Sequence, residues 1–224
     1  MSGEGRLESW KGRWDGDDTP WHQTQANTSL VDNWMKVSQG RQDLRVLFPL
    51  CGASVDLAWL YKQGHTVVGV EGARKAVEKL FAEAEVEFDV SNLDEDDGIK
   101  FETKDSRLTV FIRDFLGTSK DIAGTFDAVF DRGALEALNE SDRPAYIATI
   151  RNLLKDDFSY ILTGFDYRPE QMTGPPRPLP PAVVGQLFGD FARVELLTQE
   201  EQQDTAIKWN IPNLIRNTYL IRRK

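Results

Sequence analysis

The chain has 224 residues, 40% of them hydrophobic and 28% charged, proportions that allow a globular protein with a sizeable buried core. A formal net charge of -9 argues against nucleic acid as a partner, because phosphates are repelled unless a basic patch intervenes; the best basic run is only Arg222-Arg223-Lys224. No apolar stretch approaches the roughly 20 residues needed to cross a bilayer, Met1-Ser2-Gly3-Glu4-Gly5 does not look like a signal peptide, and one cysteine cannot form an internal disulfide, so the expectation is a cytoplasmic protein.

Three of the six tryptophans fall within the first 21 residues, in a polar, glycine-punctuated segment. A short helix is expected at residues 7–14 and a second at 29–37, with Ser29 as its N-cap. The nearly continuous apolar run 44–50 reads as a strand covered on both faces. A helix at 54–63, closed by Gly64, a strand at 66–71 and a helix at 73–85 follow. Residues 90–105 contain the acidic, turn-rich run Asp94-Glu95-Asp96-Asp97-Gly98, read as an exposed hairpin or loop. Strands are expected at 108–112, 126–130 and 158–165, with a helix at 143–154 before the last of these. The tail supplies a proline-rich loop at 174–178, a short helix at 183–187 and strands at 192–197 and 218–222. Strands and helices alternating at this spacing imply an α/β fold: a doubly wound, mostly parallel seven-stranded sheet with right-handed crossovers. No repeat or low-complexity stretch marks a second domain, so residues 1–224 read as one domain with 1–40 as an N-terminal lid or extension.

In open α/β sheets, ligands sit outside the carboxyl ends of the strands, near the switch in strand order. Leu50, Cys51 and Gly52 follow the first strand, and Gly52 permits a tight turn and close backbone approach. Glu71 ends the second strand, 19 positions past Gly52, a spacing at which a carboxylate accepts hydrogen bonds from a ribose diol. Asp114 and Phe115 follow the third strand and offer a carboxylate and a ring to an adenine. Asp131-Arg132-Gly133-Ala134-Leu135 follow the fourth, beside the reacting centre. Each has a plainer reading: a glycine in an ordinary turn, a solvated Glu71, Asp114 opening a turn, Arg132 paired on the surface with Asp131 or Glu136. Cys51 reads as a small buried residue and His65 as structural. What joins the candidates is that they fall at the ends of four successive strands. Gly-x-Gly-x-x-Gly is absent, which disfavours a dinucleotide and a nicotinamide-dependent oxidoreductase. The methyl donor S-adenosylmethionine has no phosphate and carries a cationic sulfonium, which aromatic faces attract. No metal is expected.

Trp10-x-x-x-Trp14, Thr19-Pro20-Trp21-His22-Gln23, Phe48-Pro49-Leu50-Cys51-Gly52, Gly64-His65-x-Val67-Val68-Gly69-Val70-Glu71, Phe126-Asp127-x-x-x-Asp131-Arg132-Gly133-Ala134-Leu135 and Gly174-Pro175-Pro176 together resemble the thiopurine S-methyltransferase family, in order and over nearly the whole chain. The resemblance implies a class I methyltransferase fold, S-adenosylmethionine as cofactor and S-adenosylhomocysteine as product, and a small-molecule acceptor with a sulfur or similarly soft nucleophile. By matching motif it implies that Trp10, Trp14 and Trp21 close over the cofactor, that Leu50 meets its methionine part and Glu71 its ribose, and that Asp114 and Phe115 meet the adenine. It implies further that Arg132 lines the acceptor pocket near the transferring methyl, as a catalytic residue that meets the cofactor as well as the acceptor, and that Trp21 touches both molecules. Where the family's vertebrate enzymes have a second arginine shortly before the C-terminal Trp-x-Ile segment, this chain has Thr205 or Lys208. The alternative is a binding protein that keeps the cofactor pocket as a sensor or interaction surface. A monomer is expected, since no extra interaction element stands out.

Overall fold

A computed structural model describes residues 3–93 and 98–224; the acidic run from Asp94 to Asp97 lies outside the described residues. The helices are α1 (Gly3–Asp15), α2 (Thr28–Val31), α3 (Trp34–Ser38), α4 (Val55–Lys62), α5 (Arg74–Ala84), α6 (Lys120–Ala123), α7 (Ala134–Ala137), α8 (Arg143–Leu153), α9 (Pro181–Phe188) and α10 (Gln203–Trp209). The strands are β1 (Arg45–Pro49), β2 (Thr66–Glu71), β3 (Phe88–Asn92), β4 (Ile99–Thr103), β5 (Leu108–Ile112), β6 (Phe126–Arg132), β7 (Leu154–Asp166), β8 (Ala192–Glu201) and β9 (Ile215–Arg223).

They form one sheet in the order β3-β4-β5-β2-β1-β6-β7-β9-β8. The five central strands, β5-β2-β1-β6-β7, are parallel, while β3, β4, β8 and β9 join antiparallel at the edges. The sheet therefore has nine strands among the described residues, not the seven expected. The two additions are the hairpin of β3 and β4, which leaves every residue of β3 exposed and so lacks the buried face that makes a strand readable. Phe88 of this hairpin stacks on Phe101, with ring centroids 5.2 Å apart.

Strand alternation sends side chains into two cores. Leu47, Val68, Val70 and Val129 face one layer with Tyr146 and Leu162, whereas Val46, Phe48, Val67 and Phe130 face the other with Leu57 and Val77. A third, small cluster of Phe165, Tyr167, Ile211 and Leu214 lies at the carboxyl end of β7 beside the start of β9, with Met172 and Trp209 packed against it.

The single helix expected at 29–37 is two. Asn27, rather than Ser29, caps α2 by accepting from the Ser29 amide at 3.0 Å. Asn33 ends the run, because its side-chain amide donates back to the Ser29 carbonyl at 3.0 Å and competes with helix continuation. The β1–β2 register pairs Pro49 with Val70, β6–β7 pairs Arg132 with Thr163, and β7–β9 pairs Phe165 with Arg216. One edge of the sheet thus carries the end of β1, Glu71, Arg132 and Arg216.

Candidate active site

The chain reverses direction across the sheet at β1, running outward to β2 and β5 on one side and to β6 and β7 on the other. A cavity of about 600 Å³ opens there, at the carboxyl ends of the parallel strands, where a switch in strand order leaves a crevice.

Its first end is built from the turn after β1. Leu50 and Gly52 both have positive φ, +44° and +53°; for leucine this is a strained conformation of the kind that collects at ligand sites. Glu71 fixes the turn. Its Oε2 accepts from the Gly52 amide and its Oε1 from the Ala73 amide, each at 2.8 Å. Burial pushes the Glu71 carboxyl above its usual range, and the amides of Ala73, Gly52 and Gly72 pull it back. Each carboxylate oxygen keeps a second lone pair for another donor. The turn is closed against Trp14, since a Cβ at Gly52 would lie 2.9 Å from the indole Cζ2.

The aromatic segment forms the roof. α1 packs on α5, with the Lys75 ammonium donating to the Asp15 carbonyl at 2.9 Å. Trp21 meets Trp10 and Trp14 edge-on, at centroid distances of 5.2 and 5.9 Å. The Arg13 guanidinium lies 4.2 Å from the Trp21 ring centre, covering one face with a cation. Trp14 is 4% exposed and belongs to the core, so it is a wall of the cavity, while Trp10 and Trp21 are only partly buried.

The second end is charged. Arg132 closes β6, and its Nη2 donates to the Trp21 carbonyl at 3.0 Å, tying the roof to the sheet. Burial lowers its pKa, Asp56 and Glu136 raise it, and Arg216 lowers it. Arg216 stands over the Phe165 ring, 4.6 Å from its centre. Glu136, on α7, is 5% exposed and accepts from the Phe165 amide at 2.6 Å through Oε1. Asp56 is held by the Asn27 amide at 2.6 Å and the Ser54 hydroxyl at 2.7 Å.

Trp10, Trp14, Trp21 and Leu50 all line this cavity, as do Gly52, Glu71, Asp114 and Arg132. Asp114 also opens the turn Phe115–Gly117, accepting from the Leu116 amide at 3.1 Å. Phe115 does not line the cavity. Its side chain is fully buried in the core, with its ring 5.1 Å from that of Tyr146, because an apolar ring just past a covered strand packs under the sheet. Asp131 likewise turns inward, accepting from Tyr146 and Tyr160 at 2.7 and 2.6 Å; it neither pairs with Arg132 on the surface nor orients it. Cys51 is half-buried rather than buried and lines the cavity; its sulfur packs against Gly69, and desolvation together with the nearby Glu71 pushes its thiol well up. His65 is buried and accepts from the Trp34 indole at 3.1 Å.

Among the cavity residues that went unread as site residues are Asp56, Glu136 and Arg216. Glu136 had a signal, standing four positions past Arg132, on the short helix that follows β6. Arg216 supplies a second cation from β9 rather than from the segment that holds Thr205 and Lys208, although both of those also line the cavity.

Residues 6–224 match the family Thiopurine S-methyltransferase (TPMT). The chain is 32% identical over 220 residues to a probable thiopurine S-methyltransferase of Danio rerio, covering 97% of this chain and 95% of that one. It is also 32% identical to the thiopurine S-methyltransferase of Mus spretus, covering 97% and 92%. Among solved structures, a 1,6-didemethyltoxoflavin-N1-methyltransferase of Burkholderia thailandensis with bound S-adenosylhomocysteine shares the fold, with a TM-score of 0.64 at 13% identity over 97% of this chain and 87% of that one. No helix among the described residues is long and apolar enough to cross a membrane.

Proposed function

The chain belongs to the thiopurine S-methyltransferase family and is an S-adenosylmethionine-dependent methyltransferase; from that premise we propose that it moves the methyl group to a sulfur or similarly soft nucleophile on a small molecule. We read residues 1–224 as one domain, with the segment 1–40 as its lid.

The donor set suits this cofactor. At one end a carboxylate with spare lone pairs lies beside an apolar, aromatic-walled turn, and the glycine-rich loop that a pyrophosphate requires is missing. When bound, S-adenosylmethionine supplies an electrophilic methyl group on a sulfonium that is already a good leaving group. Glu71 holds the ribose hydroxyls, Leu50 and the Trp14-backed Gly52 border the methionine part, and Asp114 meets the adenine. Trp10 and Trp21 exclude water from above, which strengthens every charge inside. Arg132 stays protonated, so it holds an electron-rich acceptor instead of removing its proton. The rest of the catalysis is positioning the acceptor in line with the methyl carbon.

The observation that carries the reading is a single cavity with Glu71 and its turn at one end and two desolvated arginines, Arg132 and Arg216, at the other. No observation favours a protein that only binds the cofactor. The test is methyl transfer from labelled S-adenosylmethionine to an aromatic thiol, a thiopurine, thiocyanate, iodide and a reduced selenium compound. Turnover of a thiol or selenium compound supports the proposal. Cofactor binding with no transfer to any of the five counts against it.

A further inference from the structure

We propose that Glu136 is the general base of the acceptor pocket, which fits this enzyme to neutral thiols that arrive with their proton rather than to acceptors that are already anions. The inference rests on the methyl-transfer reading above and assigns a residue and a substrate class to it.

Glu136 lines the cavity, yet its structural duty is slight. Its side chain makes one hydrogen bond among the described residues, from the Phe165 amide to Oε1, and it forms no ion pair with either arginine. A glutamine would serve that amide equally well without burying a charge. The carboxylate is instead surrounded by groups that act on it at a distance: Asp131 and Arg132 from β6, Arg216 and Tyr219 from β9, Arg143 from α8, and Tyr167 just past β7. Burial pushes its carboxyl up to about 7, with Asp131 adding to the rise and the Phe165 amide, Arg216 and Arg132 opposing it. A base poised near neutral pH is where proton transfer is most effective.

The charges of the pocket decide which acceptor it suits. Arg132 and Arg216 attract an anion, but an ionised Glu136 in the same cavity repels one, so a site for thiocyanate or halide gains nothing from it. For a thiol the balance differs. The S–H bond breaks, its electron pair stays on sulfur, and the proton forms an O–H bond on Glu136. The anionic charge moves from the carboxylate to a thiolate held by the two arginines, and the net charge of the pocket does not change. The thiolate is the nucleophilic form. After transfer, the neutral thioether leaves and Glu136 returns its proton to water.

The experiment compares benzyl mercaptan, whose thiol is protonated at pH 7, with pentafluorothiophenol, which is ionised there. For benzyl mercaptan, wild-type kcat/KM rises with pH to a plateau above about 7, because the base works only when ionised. E136Q keeps the hydrogen bond to Phe165 but lowers turnover of benzyl mercaptan about 100-fold, and its rate keeps climbing with pH as the thiol ionises by itself. With pentafluorothiophenol, which needs no base and is repelled by an ionised Glu136, E136Q turns over at least as fast as the wild type. Cofactor affinity by calorimetry is unchanged, and a carbon-13 carboxyl resonance titrating near pH 7 in the wild type is missing in E136Q. Equal loss of both acceptors, or loss of neither, overturns the assignment. A wild type that methylates only pentafluorothiophenol, thiocyanate or iodide overturns it without a variant and leaves methyl transfer standing. A wild type that binds the cofactor and methylates nothing removes both readings.

Discussion

The two ends of the cavity are made of different materials. The end proposed for the cofactor is mostly backbone: two left-handed residues in a turn after β1 and one carboxylate, Glu71, bonded to two amides. The end proposed for the acceptor is mostly long side chains carried by β6, α7 and β9, with Arg132, Glu136 and Arg216 interacting through a desolvated space. A backbone site is held rigid by hydrogen bonds whose partners lie close in sequence or in adjoining strands. A side-chain site can be rebuilt by exchanging single residues, so it is where members of one family can differ in substrate.

The largest effect expected from this contrast is at Glu71. E71A removes the proposed acceptor for both ribose hydroxyls, and two charge-assisted bonds at about 1.5–3 kcal/mol each put the loss in S-adenosylmethionine affinity on the order of 100- to 10,000-fold. Calorimetry measures it directly. An unchanged Kd would take Glu71 out of the site. E71Q sharpens the result, because its amide can accept through only one of the two atoms and so should fall between wild type and alanine.

At the acceptor end the expected losses are smaller and of another kind. R132A should lower kcat/KM for the acceptor by about 10- to 100-fold while leaving cofactor affinity within about twofold, as removal of one charged donor from a shared anion site predicts. R216A should do the same to a similar extent. If both hold one anionic sulfur, the double variant loses less than the product of the single losses, since after the first loss the anion is already poorly held. An equal fall in cofactor and acceptor binding for R132A would dissolve the division between the two ends.

The same division explains what could be read in the sequence. The core strands β1, β2 and β5 were legible because burial on both faces makes them mostly apolar, and the ligand rule for open sheets then pointed to Gly52, Glu71 and Arg132. That rule looks just past the carboxyl end of each parallel strand. β9 runs antiparallel, so it brings its first residues to that edge, and Arg216 opens it one position after Ile215. Starting that strand at Thr218 left Arg216 in a loop, unconsidered. Phe115 failed for the opposite reason: the rule found its position but cannot tell whether a side chain points to the crevice or into the core. The β3–β4 hairpin has no buried period on β3 and so could be read only as a hairpin or loop.

Lys208 gives the smallest prediction and the one that separates position from charge. It lines the same cavity as Arg216 but is exposed on α10. A solvated ammonium keeps its hydration and its field is screened, so such a charge contributes roughly 0.2–1 kcal/mol, against the larger worth of a desolvated cation. K208A should therefore change kcat/KM for the acceptor less than about threefold, and the change should vanish in about 1 M salt, where the screening length is about 3 Å. R216A should stay impaired in the same salt, because burial shields its field from ions. Were K208A to match R216A at high salt, the segment before Trp209 would hold the second cation after all, and Arg216 would be a partner of the Phe165 ring and nothing more.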